Sequence, residues 1–202
     1  MKNKPSYQWI IKYGCDFVLA LILLIPVSIV IGLLGIVLYL DSPGPVFFRQ
    51  LRPGRGGKLF YILKLRTMTP GDHTGSIPRN PDGSLALTQN LGGYTGFGKW
   101  LRRLSLDELP QLLNIIKGEM SFIGPRPDLP EHLQMYTGDE SLKLLARPGL
   151  TGLAQVKGRN ELPWKERLQL DVQYVREYSL LLDVKILIAT MGRLISGKGV
   201  YQ

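Results

Sequence analysis

The chain has 202 residues, a length that favours one domain, or one domain with an appendage. Its 25 Lys and Arg residues outnumber 16 Asp and Glu residues, and the net charge of +9 indicates an anionic partner: nucleic acid, anionic lipid or a phosphorylated substrate. An apolar fraction of 45% excludes wholesale disorder, and a single cysteine, Cys15, excludes a disulfide framework.

A long apolar segment comes first. Residues Phe17–Leu40 form 24 consecutive positions without a charge, bracketed by Asp16 and Asp41. As a straight helix the segment would be about 36 Å long, enough to cross the roughly 30 Å hydrocarbon core of a bilayer. It is too long for a typical helix in a soluble core or for the apolar part of a signal peptide, and no A-x-A-like cleavage site follows it. The pattern therefore predicts a membrane segment.

Pro26 lies near the middle of this segment and predicts a bend, because its ring removes a helical hydrogen bond. Ser28 can bond back to the Leu24 carbonyl and satisfy part of the disturbed backbone in lipid. The arms on either side, residues 17–25 and 27–40, would each reach about half-way through the hydrocarbon core. We therefore interpret Pro26 and Ser28 as a break in the membrane segment.

Basic residues flank the segment on both sides: Lys2, Lys4 and Lys12 before it, and Arg49, Arg52, Arg55 and Lys58 after it. A spanning helix usually has its basic excess on one side only, which faces the cytoplasm. A re-entrant hairpin with both ends in the cytoplasm explains the two basic flanks. We predict such a re-entrant helix-break-helix anchor over residues 1–41, with a kinked single span as the alternative.

A strand pair is predicted after the Ser42–Pro45 break, over Val46–Leu51 and Leu59–Met68, joined by a Gly-rich turn. In the second strand Lys64 and Arg66 share one face. Two adjacent cations repel each other unless an anion lies between them, so this face either binds an anion or is simply solvated.

The rest of the chain is predicted to be mostly helical. After a long Gly- and Pro-rich connection, Thr69–Gly98, helical patterns cover Phe97–Arg103, Asp107–Lys117, Leu129–Met135, Trp164–Tyr178 and Leu180–Ile195. The last of these carries an apolar side with Leu181, Val184, Leu187, Ile188, Met191 and Ile195, which either packs in the core or lies at a lipid interface. The predicted fold class is α/β in the broad sense, more narrowly α+β: a compact, mostly helical unit with a small β-hairpin.

An acidic pair, Asp107-Glu108, opens one predicted helix. Ser105 and Glu108 match the S-x-x-E capping box, although Pro110 fits better if Asp107 is the cap. In either case both carboxylates lie at a helix N-terminus, where free N–H groups favour negative charge and can help to hold a phosphate. The two histidines are too far apart for a zinc site, so any metal is expected to be a hard ion bound through oxygen.

Several cations accompany this one acidic pair. Arg126 lies between two prolines in Gly124–Pro127, which restricts the guanidinium and suits bidentate recognition of phosphate. Arg147–Gly152 and Gly158–Asn160 are interpreted as two further pairings of a cation with a tight turn. Together with Lys64, Arg66, Arg102 and Arg103, they indicate a carboxylate nucleophile or metal ligand that faces a polyanionic substrate such as a nucleoside diphosphate.

At these motifs the sequence resembles a known family. The runs SLDELPQLLNIIKGEMSFIGPRP and ARPGLTGLAQVKGRN resemble the bacterial sugar transferases, specifically the small monotopic phosphoglycosyl transferases, and the similarity extends over Tyr7–Val200. The resemblance implies that a sugar-1-phosphate passes from a UDP-sugar to a polyprenyl (undecaprenyl) phosphate with release of UMP, as the first membrane-committed step of glycan assembly. It also implies a re-entrant anchor over residues 1–41, a catalytic domain over residues 42–202 with interfacial amphipathic helices, and a location at the cytoplasmic face of the bacterial inner membrane.

The resemblance also implies roles for single residues. Asp107 would be the nucleophile that forms a covalent phosphosugar intermediate, Glu108 would assist it, and both would bind Mg²⁺. Substrate contacts are expected from Lys64, Arg66, Arg102, Arg126, Pro127, Arg147, Pro148, Gly149, Thr151, Gln155 and Arg159. No residue indicates which UDP-sugar is used.

Two other functions are compatible with parts of the sequence. A non-enzymatic protein that binds anionic lipid or nucleic acid explains the charge and the anchor but gives no reason for Asp107-Glu108 amid fixed arginines; the aromatic pattern of single-strand binders is also absent, so no nucleic-acid partner is expected. A transferase that attaches its sugar without the phosphate would release UDP instead of UMP.

Overall fold

The computed structural model describes residues 6–69, 93–158 and 162–196. The helices are α1 (Ser6–Asp41), α2 (Gly96–Arg103), α3 (Leu112–Ile116), α4 (Leu153–Lys157), α5 (Trp164–Glu177) and α6 (Leu180–Ser196). The strands are β1 (Phe47–Pro53), β2 (Leu59–Leu65), β3 (Ser121–Ile123) and β4 (Gly149–Thr151), and short 3-10 helices cover Arg55–Gly57, Leu106–Gln111, Pro130–Met135 and Gly138–Leu145. The described part of the chain is thus mostly helical with small sheets, which agrees with the predicted α+β class.

One side of α1 packs against the rest of the chain along nearly the whole helix. Inward-facing positions recur every three or four residues and continue past the proline: Lys12, Asp16, Ala20, Leu23, Leu24, Val27, Ile31, Leu34 and Leu38. The opposite side is apolar and exposed, for example at Ile22, Ile25 and Leu33. By length and composition α1 is able to cross a membrane, but its inward side is occupied by protein.

The predicted helix break is not confirmed. α1 continues as one helix through Pro26, and Leu24 and Val27 on either side of it pack against the same core cluster, which supports the helix across the lost hydrogen bond. The hydroxyl of Ser28 donates to the Ile25 carbonyl at 2.8 Å, not to the Leu24 carbonyl as predicted, because carbonyls three and four residues back are both within its reach. A re-entrant path through the bilayer stays a prediction, as does the division into an anchor and a catalytic domain.

Buried polar contacts tie the first part of α1 to the rest of the fold. The Lys12 ammonium lies 2.6 Å from a carboxylate oxygen of Asp183 on α6, and the Tyr174 hydroxyl donates to the same carboxylate at 2.8 Å. Four residues after Lys12, Asp16 accepts a hydrogen bond of 2.6 Å from the hydroxyl of Ser121. Because these groups are buried, each charge depends on its partner to offset the loss of water.

The predicted hairpin is confirmed. β1 and β2 pair antiparallel with Phe47 opposite Leu65, and Phe60 and Ile62 of β2 join Ala20 of α1 in a core cluster with α3. At the centre of this packing the side chain of Asn114, which is fully buried, accepts from the Leu63 N–H at 3.1 Å and donates to the Tyr61 carbonyl at 2.8 Å. These bonds fix α3, and with it the preceding 3-10 helix, against the edge of β2.

The segment around Gly149 is a strand, so the predicted tight turn at Arg147–Gly152 is wrong. β4 pairs in parallel with β3, and the Gly124 N–H donates to the Thr151 carbonyl while the Gly149 N–H donates to the Pro125 carbonyl, both at 2.9 Å. A Cβ atom on Gly149 would lie 2.1 Å from the Gly124 nitrogen, so glycine is required here by close backbone approach and not by a turn. The ladder fixes the start of the loop that carries Arg126.

Most of the predicted helices are present, with two corrections. The segment predicted as a helix over Asp107–Lys117 begins as the 3-10 helix Leu106–Gln111, because Pro110 removes a donor from the first turns. On α6 the apolar side with Val184 and Ile188 is exposed, so the core-packing alternative is wrong for it; Ile186 packs in the core instead. Residues 70–92 of the predicted long connection lie outside the described residues.

Candidate active site

A cleft of about 740 Å³ gathers much of the predicted chemistry in one place. The predicted site residues that line it are Lys64, Arg102, Asp107, Glu108, Arg126 and Gln155. They come from β2, α2, the 3-10 helix Leu106–Gln111, the Pro-Arg-Pro loop and α4, so the cleft exists only because the tertiary fold joins these elements.

Asp107 sits in an unusual backbone setting. Ser105, two residues before it, has a φ of 57°, in the left-handed region that non-glycine residues rarely adopt. Such a conformation costs on the order of 1–3 kcal/mol and is concentrated at functional sites. The turn allows the chain to leave α2 and enter the 3-10 helix with Asp107 buried at the cleft.

Glu108 forms ion pairs across the cleft, and the predicted capping box is absent. One carboxylate oxygen of Glu108 lies 2.7 Å from the Lys64 ammonium and 3.8 Å from an Arg126 nitrogen. At the N-cap position, Ser105 makes no side-chain capping bond with this helix. The alternative in which Asp107 is the cap is also wrong, because Asp107 lies inside the 3-10 helix. Glu108 instead pairs with Lys64 and Arg126, which tertiary packing brings beside this helix.

Burial raises the pKa of the Asp107 carboxyl, and the adjacent Glu108 carboxylate adds to this rise. Lys64 and Arg102 act in the opposite direction and favour the carboxylate. Asp107 is therefore a desolvated acid whose ionisation depends on the cations around it, a combination that is typical of functional sites.

Two arginines frame the acidic pair. Arg102, near the end of α2, hydrogen-bonds to the Tyr94 hydroxyl and lies 5.0 Å above its ring, which holds the guanidinium in place. The Arg126 side chain is 43% exposed, so it keeps access to a ligand while contacting Glu108. Both guanidinium groups have the planar donor geometry that suits phosphate oxygens.

A buried charge network lies beside the cleft. The Lys143 ammonium is 2.8 Å from Asp128 and 2.7 Å from Asp171, and all three residues contribute to the cleft lining. Burial alone would raise the pKa of Asp128, but the Lys143 ammonium and a hydrogen bond from the Tyr136 hydroxyl hold that pKa well below its usual range. Because Asp128 follows the Pro-Arg-Pro loop directly, the network anchors the loop that carries Arg126.

Sequence reasoning missed part of the cleft. Trp164, Arg167 and Asp171 on α5 line it, and so does Lys143. On α5, Trp164, Arg167, Leu168 and Asp171 recur at helical spacing and so share one face of the helix. The polar pair Arg167 and Asp171 on this otherwise apolar face was the signal in the sequence. Lys143 carried no local signal, because its two carboxylate partners come from distant parts of the chain.

Other predicted substrate contacts lie elsewhere. Arg66 is buried and donates to the Ser42 and Pro43 carbonyls just after α1, and it does not line the cleft. The guanidinium of Arg147 lies 4.0 Å above the ring of Tyr13.

The remaining predicted contacts serve the backbone frame or a neighbouring groove. Pro127 accepts a hydrogen bond from Arg52 through its carbonyl, Pro148 accepts one from the Ser121 N–H, and Gly149 belongs to the β3–β4 ladder. Thr151 lines an apolar groove next to the cleft. Arg159 lies outside the described residues.

Asp107 and Glu108, two of the four carboxylates that line the cleft, are of the ligand type that Mg²⁺ prefers. Within residues 6–69, 93–158 and 162–196, no group of three or more His, Cys, Asp or Glu side chains is arranged to hold a metal. Mg²⁺ is commonly held by one or two carboxylates, with water and substrate phosphates completing its shell. Asp107 and Glu108 would supply that donor set, and a bound cation would offset the burial of Asp107 and its repulsion by Glu108, which both raise the pKa of Asp107.

Comparison with known proteins assigns the sequence to a family. The model of the family described as bacterial sugar transferase matches residues 7–197. The chain is 41% identical to the uncharacterized sugar transferase EpsL of Bacillus subtilis, over 96% of this chain and 91% of the relative. It is 40% identical to the exopolysaccharide production protein ExoY of Sinorhizobium fredii, over 91% of this chain and 84% of the relative.

A longer relative has a more specific name. The UDP-glucose:undecaprenyl-phosphate glucose-1-phosphate transferase of Xanthomonas campestris is 38% identical over 98% of this chain, which spans 42% of that protein's length. The chain therefore belongs to the bacterial sugar transferase family, as its motifs predict, and is a phosphoglycosyl transferase.

Proposed function

We propose that this protein transfers a sugar-1-phosphate from a UDP-sugar to a polyprenyl phosphate and releases UMP. The observation that carries the proposal is the buried Asp107 beside Glu108, in a cleft lined by Lys64, Arg102 and Arg126. An acid surrounded by cations suits attack on a diphosphate, whose negative charge would otherwise repel a carboxylate. The name of the Xanthomonas relative supports the same pair of substrates.

The reaction has two steps. A carboxylate oxygen of Asp107 attacks the phosphorus that bears the sugar, the bond from this phosphorus to the bridging oxygen breaks, and UMP leaves with the electron pair. The resulting acyl phosphate is then attacked by an oxygen of the polyprenyl phosphate. The bond from phosphorus to Asp107 breaks, which regenerates the carboxylate and yields a polyprenyl diphosphate sugar.

The cations act on charge and geometry. Lys64 and Arg102 oppose the effect of burial and favour the ionised form of Asp107, and Arg126 offers a guanidinium to the transferring phosphoryl group. Glu108 positions Lys64 and Arg126 through its one shared oxygen. Mg²⁺, held by Asp107 and Glu108, would neutralise diphosphate charge when bound.

The proposed location is the cytoplasmic face of the bacterial inner membrane. The lipid-chain substrate supports a membrane location, and so do the exposed apolar sides of α1 and α6. These two helices are held together through Lys12 and Asp183. With one side of α1 occupied by protein, its apolar side and that of α6 are available to face lipid.

Intact-protein mass spectrometry tests the mechanism. The purified protein is incubated with Mg²⁺ and a set of UDP-hexoses, without any lipid acceptor. We expect about one equivalent of UMP per enzyme and an adduct of phosphosugar mass on Asp107, because the first half-reaction needs no acceptor. Asp107→Asn should form no adduct, whereas Asp139→Asn, at an exposed carboxylate far along the chain, should behave as wild type.

Each alternative gives a different result. Release of UDP would indicate direct sugar transfer. Release of neither UMP nor UDP in the complete assay would indicate a binding protein. A requirement for acceptor before any UMP appears would replace the covalent intermediate with direct attack by the lipid phosphate.

A further inference from the structure

An apolar groove borders the active-site cleft. It lies between the segment that carries the acidic pair and helix α6, and its lining includes Leu104, Leu109, Phe122, Val156 and Leu187. At about 1020 Å³ it is larger than the cleft itself, and most of its surface is hydrocarbon. The proposed reaction of the UDP-sugar with Asp107 uses none of these side chains.

The groove and the cleft are continuous. Ser105, Glu108 and Gln155 line both of them. A molecule with a long apolar part in the groove would therefore bring a polar end to the residue next to Asp107. An amphiphile with a single charged head has this shape, whereas a nucleotide sugar, which is polar throughout, gains nothing from such a wall.

The groove also reaches the exposed apolar surface of the protein. Leu187 lines it and is 48% exposed, and Ile188 and Met191 beside it on α6 are exposed as well. A hydrocarbon chain could thus pass from the groove to a lipid phase without crossing water. Side entry of this kind suits a substrate whose tail stays in the membrane.

The polar groups of the groove fit an anionic head. Arg193 of α6 is one of the lining residues, and the hydroxyls of Thr151 and Thr190 are hydrogen-bonded to each other at 2.8 Å. The Thr190 hydroxyl also lies 2.8 Å from the Ile186 carbonyl, so the pair is satisfied within the protein and leaves the wall largely apolar. A cation beside a hydrocarbon wall is complementary to a phosphate that carries an isoprenoid chain.

We propose that this groove seats the first isoprene units of the polyprenyl phosphate acceptor, with the phosphate directed past Glu108 toward Asp107. The inference rests on the proposed function and extends it, since it assigns the acceptor a site distinct from that of the nucleotide sugar. In this arrangement Thr151 contacts the polyprenyl phosphate, whereas its motif predicts a substrate contact without indicating which substrate.

The test separates the two substrates. Leu187→Trp fills the groove, and Ile188→Trp adds the same ring at a neighbouring exposed position that does not line it. Steady-state kinetics with undecaprenyl phosphate and the UDP-hexose used by the wild type should show an acceptor KM raised about tenfold in Leu187→Trp, which corresponds to roughly two methylene groups lost from apolar contact. The donor KM should stay at the wild-type value, and Ile188→Trp should match the wild type in both.

A second measurement needs no variant. A polyprenyl phosphate with a photoreactive diazirine in its first isoprene units should label the Leu104–Leu109 or Leu187–Arg193 peptide of the wild-type protein, and undecaprenyl phosphate should compete. Labelling elsewhere, or competition by phosphatidylglycerol alone, would overturn the assignment. So would an unchanged acceptor KM in an active Leu187→Trp protein. A wild-type protein that releases no UMP from any UDP-hexose would instead contradict the proposed function.

Discussion

The ammonium of Lys64 lies 2.7 Å from a carboxylate oxygen of Glu108, and the two residues are 44 positions apart in the chain. This ion pair joins the hairpin to the 3-10 helix that carries Asp107. It is mostly shielded from water, with the side chains of Lys64 and Glu108 20% and 13% exposed. Both residues also affect Asp107 directly, since Lys64 lowers its pKa and Glu108 raises it.

Replacement of Lys64 should therefore shift the pH dependence of the enzyme. Without the ammonium, the pKa of Asp107 rises further, and the carboxylate needed for attack is protonated up to a higher pH. In Lys64→Met we expect the acidic limb of the kcat/KM profile to move to higher pH, with a loss on the order of 10²-fold near neutrality. Lys58→Met, at an exposed lysine of the same hairpin, is the control and should keep the wild-type profile. A uniform loss of activity with an unmoved acidic limb would contradict the role of Lys64 in ionising Asp107.

Neutralising Asp107 should stabilise the fold while it abolishes transfer. The pKa of Asp107 is raised in the folded state, so the ionised carboxylate costs stability above the pKa of the unfolded chain, and this cost disappears as the pH falls below that value. Asp107→Asn removes the charge and should raise the midpoint of thermal unfolding at pH 7, with a gain that shrinks on acidification. Thermal scans in detergent from pH 4 to pH 8 measure the difference. A midpoint that falls at pH 7 would show that the carboxylate is stabilising, contrary to its burial.

Lys143 should be a strong determinant of stability. Its ammonium lies between two buried carboxylates, Asp128 and Asp171, and its loss would leave both without their cation. Lys143→Met should lower the free energy of unfolding by about 3–5 kcal/mol, measured by urea titration. Adding Asp128→Asn and Asp171→Asn should recover part of the loss, because the uncompensated charges are then removed. In contrast, Lys165→Met, at a half-exposed lysine that pairs with Glu140, should cost less than about 1 kcal/mol.

The topology of α1 can be tested by cysteine labelling. In a Cys15→Ser background, Tyr7→Cys and Lys58→Cys place exposed thiols before and after the membrane segment. If both ends face the cytoplasm, an impermeant thiol reagent should label neither in intact bacteria and both after permeabilisation. Labelling of Tyr7→Cys alone in intact cells would establish a spanning helix.

Local sequence determined much of this protein. The uncharged run Phe17–Leu40 predicts the apolar helix, because so long an apolar segment is compatible with few structures other than a helix. Alternation of apolar and polar side chains predicts the hairpin. The acidic pair and the arginine motifs predict the family, which the comparisons confirm. These features depend on residues close together in the chain, so they can be identified without the fold.

Tertiary structure decided which cations meet the acidic pair. Lys64 near the end of β2 and Arg66 just after it are two residues apart, yet Lys64 pairs with Glu108 while Arg66 is buried against the end of α1. From their sequence context Gly124 and Gly149 are typical turn residues, but in the structure they permit two backbone segments to approach closely in a parallel ladder. Lys143, Asp128 and Asp171 assemble from three separate segments. Long-range packing and the need of buried charges for partners determine these contacts, and neither is visible in any local pattern of residues.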